Sequence, residues 1–419
     1  MSPKPNLIRR FFSNLGPGLT TGAADDDPSG IATYSSAGAA VGTQLLWMAL
    51  LTWPLMGAVQ MMCARVGMMT GKGLAGAFHH KFPKPLIVAT SCALLIANTI
   101  NIGADLSGMA DAAEMLSGVS SHIFVVVFGG GIAVATVLFR YHRIASILKW
   151  LALTLLAYVI TAFLVKSDWH AALRDTFVPS FPKGRSGWAI IVAILGTTIS
   201  PYLFYWQASQ EVEEEKAAGR RMLARCRGAT RAEVGAREID VGVGTFFSNL
   251  VMYFIILTTA LTLHRSGLTN IETSRQAAEA LRPLAGHFAA LLFTIGVLGV
   301  GFLAIPTLSG SASYALAETF GWHQGLDARF KSARAFYLVI IGSTLVGIIM
   351  DYARISPVKA LFWTAVINGL LAPFLLTAVL LVAIDRRIMH NQPSSALEAA
   401  TVGMTIIAML GAAVGMFIF

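Results

Sequence analysis

The chain has 419 residues, 55% of them hydrophobic and only 13% charged, with a mean hydropathy of +0.66. A soluble domain carries about 25% charged residues, so this composition excludes an ordinary soluble globular fold. The formal net charge of +9 would suit nucleic acid, but Lys and Arg fall in short clusters between apolar stretches, which excludes a continuous nucleic-acid-binding face.

At the start, Arg9-Arg10-Phe11-Phe12 ahead of an apolar run resembles a twin-arginine signal. That run holds Asp25, Asp26 and Asp27 and has no clear small-residue cleavage site, so it reads as an uncleaved first helix with a positive flank. Hydropathy and helix breakers predict eleven transmembrane spans, near 16–40, 45–69, 86–116, 121–139, 144–165, 187–210, 241–263, 287–315, 335–350, 357–383 and 396–418. The polar stretch at about Glu211–Asp240 reads as a loop, and residues 1–419 as a single transmembrane domain. An N-terminus in the cytoplasm puts 22 of the 31 Lys and Arg residues on that side. The expectation is an all-α, multi-pass protein of the cell inner membrane, embedded in the lipid bilayer.

The first span breaks at its middle. Gly16-Pro17-Gly18 is followed by Asp25-Asp26-Asp27-Pro28-Ser29-Gly30. Carboxylates in mid-span are costly in lipid and must face water, protein or a cation. The sixth span breaks likewise, at Gly196-Thr197-Thr198-Ile199-Ser200-Pro201-Tyr202. Interrupted helices at matching positions of two halves point to a transporter's central site. Unwound carbonyls there are free to bind a cation, and Asp27 supplies charge. Spans 1–5 and 6–10 start on opposite sides, as inverted repeats must, giving halves at about 16–165 and 187–383 with an extra helix at about 396–418.

Other polar residues fall inside spans. Asn98, Asn101, Asp105, Asp111 and Glu114 lie on the third, where Asn101 and Asp105 share a face. They read either as a permeation lining or as interhelical packing. Asn368-Gly369 interrupts the tenth span before Pro373 and reads as a central-site residue or a polar kink. Glu211, Glu213, Glu214 and Glu215 end the sixth span; Glu214 and Glu215 read as a solvated helix end, and Arg220–Arg237 as facing anionic headgroups. Cys63, Cys92 and Cys226 imply neither a disulfide nor a zinc site. No HExxH, GxSxG or Walker A motif appears, so neither an enzyme nor an ATP-driven pump is expected, and no cofactor.

Taken together, these segments resemble the natural-resistance-associated macrophage protein (Nramp) family of divalent-metal transporters. Gly16-Pro17-Gly18 through Gly30 looks like its GPG…DPGN segment, and Gly196–Tyr202 like its GATVMPH segment. Asp240 through Phe246-Phe247-Ser248-Asn249 resembles the start of its seventh helix, and Ser309–Ala315 part of its eighth. The resemblance implies a LeuT-like fold of eleven helices in a five-plus-five inverted repeat with helices 1 and 6 broken. It also implies metal-binding positions at Asp27, Gly30, Thr197 and Ser200, with Asp26, Tyr202, Asp105 and Asn368 as further candidates.

The departures are informative. The family's asparagine is Gly30 here, its methionine Ser200 and its histidine Tyr202, and its acidic pair on the third span becomes Asp105 and Gly108. Thioether sulfur favours softer ions, whereas oxygen donors with room for water suit Mg²⁺. The pattern looks like the Nramp-related magnesium transporter branch, which implies a secondary transporter or facilitator of Mg²⁺, also Mn²⁺, with proton coupling weak or absent. The alternative is a proton-coupled Mn²⁺/Fe²⁺ transporter of the ordinary Nramp type.

Overall fold

The structure is a computed structural model that describes residues 16–138, 152–165, 168–217, 228–352 and 356–418. Arg9–Phe12, Cys226 and the first part of the expected fifth span lie outside the described residues. In chain order, α1 (Pro17–Asp25) and α2 (Pro28–Val41) make the first span and α3 (Trp47–Thr70) the second. A short α4 (Leu74–Phe78) precedes α5 (Lys84–Ser117) and α6 (Ser121–Leu138), the third and fourth. α7 (Leu156–Leu164) belongs to the fifth, and α8 (Trp169–Phe177) leads into the sixth, built from α9 (Gly184–Thr198) and α10 (Pro201–Ala217). α11 (Arg231–Thr259) is the seventh and runs into a π-helical turn at Ala260–His264. After α12 (Ser274–Ala278) come α13 (Ala289–Phe320), α14 (Arg334–Asp351), α15 (Pro357–Ala383) and α16 (Ala396–Ile418).

Among the described residues, nine stretches are long and apolar enough to cross a membrane, and no strand is present. The broken α1–α2 pair and the short apolar helix Leu153–Leu164 account for the other two of the eleven spans. Large apolar side chains such as Phe163, Phe374 and Ile407 point outward, as lipid contact requires. The sixth span is the most enclosed: 94% of its apolar window is buried, against 22% for α6. Its break therefore lies deep inside the bundle.

Both breaks follow one local logic. Asp26 leaves the helical region (φ −79°, ψ 48°), and Asp27 is extended and caps α2, its carboxylate accepting the Gly30 amide at 2.7 Å. Pro28 then takes the first helical position, where its missing N–H costs nothing. In the sixth span Ile199 leaves the helix (φ −118°, ψ 63°) and Pro201 restarts it. The Ser200 hydroxyl turns back on the freed carbonyls of Gly196 (2.6 Å) and Thr197 (2.8 Å).

Packing holds α1 against α11 through bare backbone. A β-carbon at Gly22 would collide with the Gly244 peptide, and one at Gly244 with Gly18. Such approach is the usual use of small residues between membrane helices.

The polar stretch at Glu211–Asp240 is not simply a loop. α10 continues to Ala217, and α11 begins at Arg231 behind a Thr230/Glu233 capping box. Hydropathy registers lipid contact rather than helicity, so helical turns that leave the apolar layer read as loop.

Candidate functional site

Asp27 sits at the meeting point of the breaks and is 1% exposed. Its two oxygens divide the work. Oδ1 accepts the Gly30 amide at 2.7 Å and the Ser29 hydroxyl at 2.8 Å, which fixes the carboxylate at the helix start. Oδ2 faces away from α2, towards the Asn101 amide nitrogen at 3.3 Å and the Tyr202 hydroxyl at 3.5 Å. The Tyr202 hydroxyl makes its shorter bond to the Ala24 carbonyl, at 2.8 Å, and so ties α10 to the unwound end of α1.

The surroundings are rich in acceptors and poor in donors. Oδ1 of Asn101 and Oγ1 of Thr197 are buried and make no hydrogen bond, and the buried Asp105 carboxylate has only the Ser29 backbone amide as a donor. Gly30 and Thr197 face each other: a β-carbon at 30 would lie 3.3 Å from Thr197 Oγ1 and from the Asp25 carbonyl oxygen. Buried polar atoms are nearly always paired, so a group of unpaired oxygens asks for an explanation. A cation meets it, since acceptors without donors are what an ion coordinated by oxygen requires.

The remaining sequence candidates divide. Ser200 lies at the second break, its proton spent on backbone carbonyls while its lone pairs stay available. The acidic triplet does not act as one cluster. Asp25 receives the Ser248 hydroxyl at 2.5 Å, and Asp26 lies 3.5 Å from the same hydroxyl, so both turn towards α11 and away from Asp27 Oδ2. Consistently, no three His, Cys, Asp or Glu residues among those described are grouped to hold a metal. Asn368 is buried, and its neighbour Gly369 packs on Gly196. Among the described residues Asn368 makes no hydrogen bond to Asp27, Thr197 or Ser200.

One side of the site is closed by charge. The Asp240 carboxylate, fully buried, accepts the amides of Gly16 (2.8 Å), Gly18 (2.8 Å) and Leu19 (3.1 Å), supplying the partners that a helix N-terminus lacks. Arg237 joins Asp240 at 2.6 Å, Glu211 at 2.8 Å and Glu214 at 2.5 Å. From Glu211 the chain of bonds continues through Gln207 (2.7 Å) to Thr21 (2.6 Å). Helices α1, α10 and α11 are thus locked together. One expectation is corrected here: Arg237 faces carboxylates rather than headgroups. Glu214, 37% exposed, is a solvated helix end as expected and also pairs with Arg237. Linear sequence carries no sign that Arg237 folds back across three helices.

The side away from Arg237 is bounded by apolar packing. A cavity of about 20 Å³, room for about one water, is bounded by Pro28, Ser35, Gly108, Ile271 and Leu361. Beyond it, sharing Ile271 and Val358, opens a cavity of about 900 Å³ walled by Arg185, Asn270, Lys359 and Trp363.

A family model described as natural resistance-associated macrophage protein-like matches residues 18–419. The chain belongs to the Nramp family. Similar Nramp relatives include the divalent metal cation transporter MntH of Caldanaerobacter subterraneus subsp. tengcongensis, 25% identical over 410 residues, which are 93% of this chain and 89% of that protein. MntH of Yersinia pestis is 27% identical over 308 residues, 71% of each. In three dimensions the chain is similar to a manganese transporter of Eremococcus coleocola, with a TM-score of 0.75 at 15% identity over 98% of this chain and 87% of that one. It is also similar to Mhp1, a nucleobase-cation-symport-1 family transporter, with a TM-score of 0.60 at 13% identity over 96% and 90%. These likenesses carry the fold, and the LeuT-like arrangement expected from the sequence is the observed one. One Nramp departure now has a structural counterpart. A β-carbon at Gly108 would lie 2.8 Å from Leu361 Cδ1, so an apolar side chain packs where the resemblance puts the second acid.

Proposed function

We propose that this protein carries a divalent metal ion across the bilayer as its substrate, opening the Asp27 position first to one side and then to the other. The observation that carries this reading is the group of buried acceptor oxygens on Asp105, Asn101 and Thr197, those of Asn101 and Thr197 unpaired, around the Asp27 carboxylate. Asp27, Thr197 and Ser200 contribute oxygen, and Gly30, with no side chain, lets Thr197 Oγ1 and the Asp25 carbonyl come close; Tyr202 holds the unwound chain, and Asp26 and Asn368 stay outside the first contacts. The halves at about 16–165 and 187–383 would move relative to each other around this position, with 396–418 as an added helix. The N-terminus and the Arg237 network lie on the cytoplasmic side of an inner membrane, as the Lys and Arg bias argues.

The sequence relatives are divalent metal cation transporters and the Eremococcus coleocola neighbour a manganese transporter, which backs manganese better than the magnesium expected from the sequence. Oxygen donors suit Mn²⁺ as well as Mg²⁺, so we take Mn²⁺ as the leading substrate. Magnesium stays as a second reading on one observation: the breaks offer no thioether, since position 200 is serine. Uptake of Mn²⁺, Fe²⁺ and Mg²⁺ into proteoliposomes tests both readings. Saturable Mn²⁺ entry competed weakly by Mg²⁺ supports the first, Mg²⁺ entry at equal or greater rate the second, and no divalent entry overturns the function.

A further inference from the structure

We propose that Asn101, on α5, gives the transported cation the amide oxygen that Gly30 lacks, so that the site is completed from the third span rather than from the first. The proposal rests on the metal-transport reading above and names a ligand within that site. Gly30 has no side chain to offer. The space a β-carbon would take there is bounded by Thr197 Oγ1, the Asp25 carbonyl and the Tyr34 ring. Asn101 approaches Asp27 from α5, fully buried, with its amide nitrogen 3.3 Å from Oδ2, the oxygen left over from capping α2.

The other buried asparagines show what a packing role looks like. Asn249 has its nitrogen on the Thr245 carbonyl at 2.8 Å and its oxygen taken by the Thr52 hydroxyl at 2.6 Å. Asn98, one turn before Asn101, has its nitrogen on the Leu308 carbonyl (2.8 Å) and on Ser311 Oγ (2.9 Å), two short bonds between α5 and α13. Asn101 has a single long bond, and that bond is to a carboxylate. Its Oδ1 has no donor, which it shares with Asn98; what sets Asn101 apart is that its one bond reaches the Asp27 carboxylate.

An amide presents oxygen in place of nitrogen by a half-turn of its last torsion, with no backbone change. With a cation on Asp27 Oδ2, the amide hydrogens would face positive charge and the oxygen would be attracted. The half-turn then costs only the 3.3 Å bond. Asp105, one turn along the same face, has buried acceptor oxygens with capacity left for the released N–H₂.

The test is Mn²⁺ binding by titration calorimetry and Mn²⁺ uptake for five proteins, each first shown to be folded by thermal melting. They are the wild type, Asp27→Ala, Asn101→Ala, Asn101→Asp and the double variant Gly30→Asn/Asn101→Ala. Losing a ligand or its support typically costs about 10–100-fold in metal affinity. We expect Asn101→Ala to weaken Mn²⁺ binding by about tenfold or more, Asn101→Asp to keep it because an oxygen remains, and the double variant to regain most of the loss. Should Asn101→Ala fail to fold, Asn101→Asp decides: binding near wild type supports an oxygen ligand at position 101, and loss of binding overturns it. Wild-type binding by Asn101→Ala with Asp27→Ala inactive overturns this inference alone, whereas full uptake by Asp27→Ala overturns the metal site itself.

Discussion

Arg237 and Asp240, one turn apart at the start of α11, meet at 2.6 Å, and the same aspartate holds the amides that open α1. One guanidinium therefore serves three carboxylates and joins three helices. Arg237→Met would leave Glu211 and Asp240 buried without countercharge, and removing one partner of a buried pair costs about 3–5 kcal/mol. The thermal midpoint should fall. A cysteine at Thr21, 1% exposed in this state, should react faster with a polar maleimide applied from the Arg237 side. Equal labelling in the two proteins would show that the network does not hold this side shut.

Asp27→Ala should abolish Mn²⁺ uptake while the protein still folds. Oδ1 caps α2, and loss of a cap costs about 0.5–2 kcal/mol, a fraction of the stability of a chain this size. Uptake should therefore fall to the level of empty liposomes with a melting curve only slightly displaced. Transport at half the wild-type rate or more would remove the central site.

Ser200→Met puts a soft, bulky thioether at the second break and releases the Gly196 and Thr197 carbonyls from the serine hydroxyl. Sulfur compensates poorly for Mg²⁺ hydration and acceptably for Mn²⁺ and Cd²⁺. Competitive uptake should show Mg²⁺ losing ground to both. Gly30→Asn alongside it should strengthen the shift without simple additivity, because the two breaks face each other. The same metal ranking in wild type, single and double variants would mean that these positions do not set selectivity.

Proton coupling is expected to be weak or absent. Leu361 fills the place beside Gly108, and Tyr202 spends its hydroxyl on the Ala24 carbonyl. With an apolar contact where the resemblance puts the second acid and a tyrosine engaged elsewhere where it puts the histidine, Mn²⁺ entry should leave the lumen of a proteoliposome at constant pH. A lumenal acidification that scales with metal influx would restore the ordinary proton-coupled mechanism.

The breaks and Asp27 were legible because local rules write them. Proline restarts, a capping aspartate and mid-span carboxylates leave marks within a few residues of each other. Partnerships between distant residues leave no such mark. Nothing near Ser248 announces that it takes up Asp25, and nothing near Glu214 announces Arg237, since each pairing depends on how two helices cross. Asp25, Asp26 and Asp27 look equivalent along the chain, yet the end of α1 turns the first two towards α11 and the third towards α5. Asn101 was visible as a polar residue within a span. Its unpaired oxygen was not, because an unmet hydrogen bond is a property of the whole neighbourhood.

The two boundaries of the site differ in kind. Towards Arg237 it is bounded by ion pairs, of which Glu214 is the most exposed, at 37%. On the other side it is bounded by the apolar fit of Leu361 against Gly108. Dissolved salt acts on the first door, through its outermost carboxylate, and leaves the second untouched. For the alternating cycle proposed above, ionic strength should therefore act on one half only, and varying potassium chloride on one face of the membrane at a time should slow or speed one step and not the other.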